Sequence, residues 1–258
     1  MKKCFDFGTV YYISDTYEEG VKITLVKNNY MKDMEERPDK VVLPEKINGN
    51  TVTRIGEEAF FNYECEELFL PIKVKLDPRA FHRSLIAKIH IPGVKMIPSN
   101  CFAESYLKEL ADCNDVICVE EKAFLFTTEL ESFEWFPNCS TIPRKCFAFS
   151  GINYISNINN VSFISIDAFR GSRLKEIDIP DKCSLSSGCF SYTPISKISA
   201  GESLTLNTSE FVGCKCEKIK LIGCERVVLH VVPHTLPNED IFEVGFDSVL
   251  VKIPKPPF

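Results

Sequence analysis

One residue recurs along this chain at an interval that strongly constrains the fold. Phenylalanine returns every 21 to 23 residues, as subtraction of the positions shows, and all but one of these residues follow an Ala or a Cys. They are Phe60, Phe81, Phe102, Phe124, Phe147, Phe169, Phe190 and Phe211. A fixed period of this length indicates a repeat architecture, in which each unit buries a core only by stacking on its neighbours.

Other apolar positions keep a fixed distance from each of these phenylalanines. Five residues before them stand Ile55, Leu76, Ile97, Val119, Ile142, Ile164, Leu185 and Leu206. Five residues after them, or six after Phe124, stand Cys65, Ile86, Leu107, Leu130, Ile152, Leu174, Ile195 and Cys216. Three residues further on stand Leu68, Ile89, Leu110, Phe133, Ile155, Ile177, Ile198 and Ile219. Each repeat therefore reads as a short strand, a turn and a segment that ends in Phe.

The length of the repeat predicts how one unit meets the next. A short apolar strand suits parallel pairing with the same strand of the next coil, about 4.8 Å away, with alternate side chains inside and outside. The Phe then lies on the opposite wall, after a tight helical or 3₁₀ turn. The residue before it is small because, in this arrangement, it lies against the backbone of the neighbouring coil.

Two stretches carry a family resemblance. Residues 53–60, TRIGEEAF, and residues 174–180, LKEIDIP, resemble the BspA-like leucine-rich repeats, also called the Treponema pallidum type. The proline that follows the strand in that family recurs here as Pro71, Pro92, Pro137 and Pro180. The resemblance extends over about residues 41 to 222, which is most of the chain.

The resemblance implies a leucine-rich-repeat solenoid that is used for binding and has no shared catalytic residues. The expected fold is a β-rich right-handed superhelix with a parallel concave sheet and short helical or 3₁₀ turns on the convex side. We expect residues 41–222 to form eight repeats of 21–23 residues. Residues 1–40 are predicted to form an N-terminal cap and linker, with a β-hairpin from strands at 10–13 and 21–26. Residues 223–258 are predicted to form a C-terminal cap, with strands at 227–232 and 249–253, so that the whole is one elongated domain.

Charge and hydropathy argue against nucleic-acid binding and against a membrane-spanning segment. The formal charge of −6 argues against nucleic acid, because phosphate binding requires a basic surface. The sequence contains no stretch of eighteen apolar residues, so it predicts no transmembrane segment. The N-terminal residues show no apolar segment of the kind that a signal peptide needs, so the expectation is a cytoplasmic protein.

The twelve cysteines favour packing over disulfides. Cys65 and Cys216 occupy apolar strand positions, and Cys101, Cys146 and Cys189 occupy the small position before Phe. Cysteines at such positions behave as small buried hydrophobic residues. We therefore expect reduced thiols in an intracellular protein, since disulfides persist mainly in oxidising compartments.

The residue types that carry chemistry do not fall into catalytic or metal-binding patterns. Among the histidines, His230 and His234 are four apart, but Pro233 lies between them and disfavours a helical metal pair. Cysteine spacings do not match zinc sites, and glycine does not cluster into a phosphate loop. The sequence thus predicts no cofactor, no small-molecule substrate and no enzymatic activity.

The outward positions of the predicted concave sheet remain as the candidate site. They lie six, seven and nine residues after each Phe, or one later after Phe124. The candidate partner-binding residues among them are Glu66, Glu67, Phe69, Lys88, His90, Lys108, Glu109, Glu131, Glu134, Tyr154, Lys175 and Asp178. Phe69 and Tyr154 are expected to be exposed aromatic residues. The alternative interpretation is a solvated charged face without a ligand.

Two functions remain in contention from the sequence. The first is a non-catalytic protein–protein interaction scaffold that binds another protein on its concave face and is monomeric outside its complex. The second is a surface-associated adhesion or host-interaction protein that is exported without a classical signal peptide. Both use the binding surface that repeat solenoids expose.

Overall fold

The computed structural model describes residues 3–6, 9–13, 20–28, 39–232, 241–245 and 248–254. The chain forms two compact units, Met1–Leu130 and Glu131–Phe258, called here the N-terminal unit and the C-terminal unit. Both are built from short parallel strands joined by tight turns. No helix of the described residues is long and apolar enough to cross a membrane.

Two groups of strands organise the N-terminal unit. Its strands are β1 (Lys3–Asp6), β2 (Thr9–Ile13), β3 (Val21–Asn28), β4 (Lys40–Val42), β5 (Lys46–Ile47), β6 (Asn50–Ile55), β7 (Glu64–Phe69), β8 (Lys75–Leu76), β9 (Leu85–His90), β10 (Met96–Ile97), β11 (Glu109–Ala111) and β12 (Cys118–Val119). The first sheet has the order β11-β9-β7-β4, and every pair in it is parallel. A mixed six-stranded sheet contains the parallel pairs β3–β6 and β6–β8, and β10–β12 forms a separate parallel pair. These strands together are called the second sheet.

The register of the first sheet confirms the strand positions predicted from the repeat. Leu68 pairs with Ile89, and Ile89 with Leu110, so the residues eight after each Phe lie side by side. All three are buried. Their neighbours along each strand point to the other face, as the period of two in a strand requires.

The C-terminal unit repeats this plan. Its strands are β13 (Ser132–Glu134), β14 (Thr141–Ile142), β15 (Tyr154–Ser156), β16 (Phe163–Ile164), β17 (Glu176–Ile179), β18 (Ser184–Leu185), β19 (Lys197–Ala200), β20 (Ser203–Asn207), β21 (Ile219–Ile222), β22 (Arg226–Val231), β23 (Phe242–Val244) and β24 (Val249–Pro254). They form sheets ordered β13-β15, β14-β16-β18, β17-β19-β21-β23 and β20-β22-β24. All of these pairs are parallel.

Stacked phenylalanine rings form the core of each unit. In the N-terminal unit the ring centroids of Phe60 and Phe81 lie 4.9 Å apart, those of Phe81 and Phe102 5.2 Å, and those of Phe102 and Phe124 5.4 Å. The C-terminal unit has a second stack with separations of 5.6, 6.0 and 5.5 Å, formed by Phe147, Phe169, Phe190 and Phe211. All eight side chains are fully buried, so the sequence repeat is a ladder of core aromatic residues.

The small residue before each Phe is explained by a backbone ladder on the turn side. The Phe60 N–H donates to the Ala80 carbonyl oxygen at 3.0 Å, and the Phe81 N–H donates to the Cys101 carbonyl oxygen at 2.9 Å. The small side chain lets successive coils approach closely enough for these bonds. Glu210, the exception before Phe211, is buried, and its carboxylate accepts a hydrogen bond from the Asn207 amide at 2.9 Å.

The turns around each Phe differ in detail from the predicted helical or 3₁₀ form. A 3₁₀ helix is present at Thr208–Phe211, but the other coils use consecutive β-turns. In the second coil the Ala80 N–H donates to the Asp77 carbonyl oxygen and the Ser84 N–H to that of Phe81. Arg79 and Arg83 have φ angles of 62° and 55°, as the third position of a type II turn requires.

The predicted N-terminal hairpin is confirmed, with an additional strand. β2 and β3 pair antiparallel, and β1, which the sequence does not predict, pairs antiparallel with β2. β3 then pairs in parallel with β6 and so joins the hairpin to the repeats. Residues 45–50 contain a further hairpin, β5–β6, which turns at Asn48 and Gly49, both with positive φ. Most of the predicted linker lies outside the described residues.

At the C-terminal end the two predicted strands are present as β22 and β24, and β23 is additional. Residues 233–240, predicted as a loop or short helix, lie outside the described residues. β22 pairs with β20 and β23 pairs with β21, so parallel pairing continues past residue 222. The boundaries assigned to the repeats and to the two caps stay predictions.

One part of the predicted register is wrong. Ile198 pairs with Leu221, two residues beyond the predicted Ile219, and Ile219 pairs instead with Phe242. The reason is a longer connection after Phe211, which delays the next strand. Cys216, predicted as a buried strand residue, is therefore only half-buried and lies outside the strand.

The other four cysteines of the repeat pattern are buried as predicted. Cys65, Cys101, Cys146 and Cys189 all lie in the core. Burial raises the pKa of the Cys101 and Cys189 thiols well above the ordinary value. No disulfide joins the eleven cysteines whose side chains are described.

A buried carboxylate joins the N-terminal cap to the first coils. Asp77 lies with its side chain only 7% exposed between Arg54, which hydrogen-bonds one carboxylate oxygen, and Lys22 on β3, whose Nζ is 2.6 Å from the other. Burial raises the pKa of Asp77, but the bonds to Lys22 and Arg54 outweigh it, so the pKa lies below its ordinary value. The ionised form is therefore the one that the fold stabilises.

We predict that Phe147→Ala lowers the free energy of unfolding by roughly 3 to 5 kcal/mol, as truncation of a core Phe generally does. Phe149→Ala is the matched control, because Phe149 is 41% exposed and two residues away on the turn side. Urea denaturation of both variants provides the measurement. If both variants showed the same small loss in the free energy of unfolding, the Phe147 ring would not be essential to the stack.

We predict that Asp77→Asn destabilises the protein at neutral pH by about 1.5 to 3 kcal/mol, the usual worth of hydrogen bonds to a charged group. Because the native pKa is lowered, this contribution is present above the unfolded value and is lost as pH falls through the native one. The difference in stability between wild type and variant should narrow below about pH 4. A difference that stays constant into acid would contradict this assignment.

Candidate functional site

The outer surface of sheet β4–β7–β9–β11 carries the predicted concave residues of the N-terminal unit. We call this surface the ladder face. Glu67, Lys88 and Glu109 occupy equivalent positions on three adjacent strands. The Lys88 Nζ lies 2.8 Å from the Glu109 Oε1 and 3.9 Å from the Glu67 Oε1. The repeat therefore places opposite charges in a row across the coils.

His90 connects two carboxylates on this face. Its Nε2 lies 2.9 Å from the Glu67 Oε1, and its Nδ1 lies 2.7 Å from the Asp112 Oδ2. Carboxylates only accept hydrogen bonds, so both bonds form together when both ring nitrogens carry hydrogen. The side chain is only 13% exposed, and the two bonds fix the orientation of the ring.

Phe69 does not have the open position that the sequence predicts. Its ring stacks on that of His90, with centroids 3.9 Å apart and an angle of 10° between the planes. The Lys40 Nζ lies 4.2 Å from the centroid of the same ring. Phe69 is therefore half-buried inside a cluster. His90 at the equivalent position of β9 stacks on it, and Lys40 reaches it from two residues before the equivalent position of β4. The prediction that Phe69 is an exposed aromatic residue is wrong.

The cluster also shifts the proton affinities of its charged groups. The hydrogen bond to His90 is the main cause that lowers the pKa of Glu67, and the positive charges of Lys88 and Lys40 act in the same direction. The hydrogen bond to Glu109 raises the pKa of Lys88. Both groups are therefore held in their charged forms.

Two further predicted residues of the N-terminal unit lie at the surface. Glu66 and Lys108 are exposed. The Lys108 Nζ lies 4.9 Å from the centroid of the Tyr106 ring. Two members of the cluster, Lys40 and Asp112, are absent from the predicted set. Lys40 stands just before the predicted repeats, and Asp112 directly follows β11, so neither belongs to the periodic positions used for the prediction.

The predicted residues of the C-terminal unit lie at its surface. Glu131, Glu134, Lys175 and Asp178 are exposed, and Tyr154 is 38% exposed, as predicted for an outward aromatic residue. An ion pair that the prediction did not include joins Glu176 and Lys197, with the Lys197 Nζ 2.9 Å from the Glu176 Oε2. This hydrogen bond, together with the negative charge of Glu176, raises the pKa of Lys197.

The chemistry available on these faces is recognition through charge and stacking. In the described part of the chain, no group of three or more His, Cys, Asp or Glu residues is placed to hold a metal ion. The His90 ring nitrogens are both within hydrogen-bond distance of carboxylate oxygens. The arrangement is an organised surface of fixed charges and flat rings.

The repeat motif and the fold identify the class of protein. The family model described as "BspA type Leucine rich repeat region" matches six copies, over residues 41–127 and 117–225. The matches span more than half of the sequence, and the chain therefore belongs to the BspA-type leucine-rich repeat family. This confirms the resemblance that the repeat motif indicates.

Three solved structures are similar to the chain. A leucine rich cell surface protein from Faecalibacterium prausnitzii is similar with a TM-score of 0.63 at 15% identity, over 99% of this chain and 79% of that chain. A leucine-rich repeat protein from Bacteroides ovatus gives 0.43 at 17% identity, over 95% and 89%. The T. pallidum leucine rich repeat protein gives 0.38 at 16% identity, over 93% and 97%. At 15% identity the first likeness shows the parallel-strand solenoid fold alone. No curated protein sequence matches the chain.

Proposed function

We propose that this protein is a non-catalytic interaction scaffold that binds another protein on the ladder face of its N-terminal unit. The observation that supports the proposal is the continuous network across four strands, in which Lys40, Phe69, His90, Glu67 and Lys88 are each held by a residue of an adjacent coil. Repeat proteins generally use such extended strand surfaces for recognition.

The network gives a partner an organised surface to bind. Side chains that are already ordered lose less conformational entropy on association than free ones, so more of the contact energy appears as affinity. The alternating charges of Glu67, Lys88 and Glu109 favour a partner that presents the opposite sequence of charges. Electrostatic complementarity of this kind sets specificity and association rate more than affinity.

We place the protein inside the cell. The support for this location is the cysteine usage, because the thiols of Cys101 and Cys189 are packed in the core at positions that require a small apolar residue. Adhesion at a surface is the second candidate, since the similar Faecalibacterium prausnitzii protein is named a cell surface protein. Fractionation of the source cells with a thiol count on the native protein separates the two locations.

The test of the ladder face is quantitative capture from the source cells with tagged full-length protein. Phe69→Ala with Lys88→Glu removes the stacked ring and reverses the central charge. We expect this variant to lose the main partner while circular dichroism shows that the fold is retained. Its melting temperature should fall, because Phe69 is half-buried and stacked on His90.

The matched control for this capture is Phe126→Ala, which removes an exposed aromatic side chain from the turn side of the same unit. It should retain the partner at the wild-type level. Equal recovery by wild type, the ladder variant and the control would exclude the ladder face as the site.

A further inference from the structure

A groove lies between β8 and β10, on the second sheet of the N-terminal unit and away from the ladder face. Its volume is about 360 Å³. It is lined by Arg54, Lys73, Val74, Lys75, Leu76, Gly93, Lys95 and Met96. None of these eight residues is acidic, although the chain as a whole has a net charge of −6. The size falls within the range of about 300 to 1,000 Å³ that is usual for binding pockets.

The groove is present because a proline interrupts the second sheet. Four residues before Phe, the backbone N–H donates to the strand of the preceding coil, as Asp77 does to Ile55 and Glu120 does to Ile97, both at 2.9 Å. Pro98 occupies this position in the coil between them and has no N–H. In the described residues β8 pairs with β6 and β10 with β12, but β8 and β10 are not paired.

Gly93 keeps this gap open. Its φ is +72°, and a Cβ at this position would lie 2.7 Å from the Lys73 Cγ. A side chain here would both strain the backbone and displace Lys73 from the rim. Lys73 is itself held by its backbone, since its N–H donates to the Pro92 carbonyl oxygen at 2.8 Å.

The rim of the groove is cationic and its floor is apolar. Arg54 pairs with Asp77, and the Lys95 Nζ lies 2.5 Å from the Asp115 Oδ1. Lys73 and Lys75 are exposed and extend the positive charge along one side. The floor is made by the buried Val74 and Leu76 and by Met96, which is 44% exposed. Methionine is an adaptable side chain that suits a contact with varied apolar groups.

We propose that this groove is a second docking site, and that it takes an acidic peptide segment with an apolar side chain. The apolar side chain lies on Val74, Leu76 and Met96, and the carboxylates of the segment face Lys73 and Lys75. Charge complementarity carries this assignment. Arg54 and Lys95 are already paired with carboxylates, but the exposed Lys73 and Lys75 add positive charge beside a lining without acidic residues, which attracts carboxylates and repels basic segments.

The net charge of the chain favours a short peptide over a nucleic acid as the occupant of the groove. A long polyanion would extend beyond the groove and meet the repulsion of an acidic protein, whereas a short segment stays within the local field of the lysines. That field extends over a Debye length, about 8 Å at physiological ionic strength. The apolar floor adds a contact that a phosphate backbone does not use.

The test uses the full-length protein and a fluorescent synthetic peptide of alternating Glu and Leu, followed by anisotropy. Lys73→Glu should weaken the affinity about tenfold or more, because it places a like charge against the carboxylates. Lys182→Glu is the matched control, since Lys182 is also exposed and has a φ of 62° against 63° for Lys73. It lies at the same distance before its own Phe but in the other unit, and it should leave the affinity unchanged.

Two further arms test the chemistry of the occupant. Replacement of every Glu in the peptide by Gln, or of every Leu by Ala, should each abolish measurable binding, and Met96→Gln should weaken it. Circular dichroism of each variant establishes that the fold is retained. Equal binding by the Lys73 and Lys182 variants, equal binding of the Gln peptide, or an oligothymidylate that binds as tightly as the Glu peptide would overturn the proposal.

Discussion

Each unit depends on the contact between a Phe ring and the same ring of the next coil. A repeat of this length has too little apolar surface to fold alone, so its core exists only where two coils meet. The stacked rings, 4.9 to 6.0 Å apart, supply that core on the turn side. The parallel strands supply it on the opposite side. A backbone bond from the Phe N–H to the coil that follows then fixes the spacing, which explains why the residue before Phe is usually Ala or Cys. This bond is present for Phe60, Phe81, Phe102, Phe147, Phe169 and Phe190.

The parts of the fold that the sequence predicts are those that this contact enforces. The buried strand positions, such as Leu68 and Ile89, follow directly from their distance to Phe60 and Phe81. The prediction is wrong where the period changes after Phe211, because a connection longer by two residues moves the strand without altering its apolar character. β1 and β23 are not predicted because they lie outside the periodic part, where no neighbouring repeat reveals their register.

The candidate site is less predictable because its geometry depends on pairs of side chains in different coils. The period correctly places Glu67, Lys88 and His90 on one face, but it does not show that His90 covers the ring of Phe69. Nor does it show that Pro98 opens the second sheet, since the consequence lies in a hydrogen bond that is missing. Three residues that line the groove, Arg54, Lys75 and Met96, stand six positions before a repeat Phe. These outward positions could have indicated the groove from the sequence. Their mixture of cationic and apolar types is visible in the sequence once the second strand is placed.

Native-state amide hydrogen exchange tests the central role of the ring stack most directly. If the stack and its backbone ladder hold the coils together, the amides of Phe60, Phe81, Phe147 and Phe169 should be protected as strongly as the strand amides of β7 and β17. Their exchange would then require opening of a whole unit. If these amides exchanged as fast as those of the exposed turn at Asn48 and Gly49, the turn side would open independently of the strands. The stack would then be a consequence of the fold and not its basis.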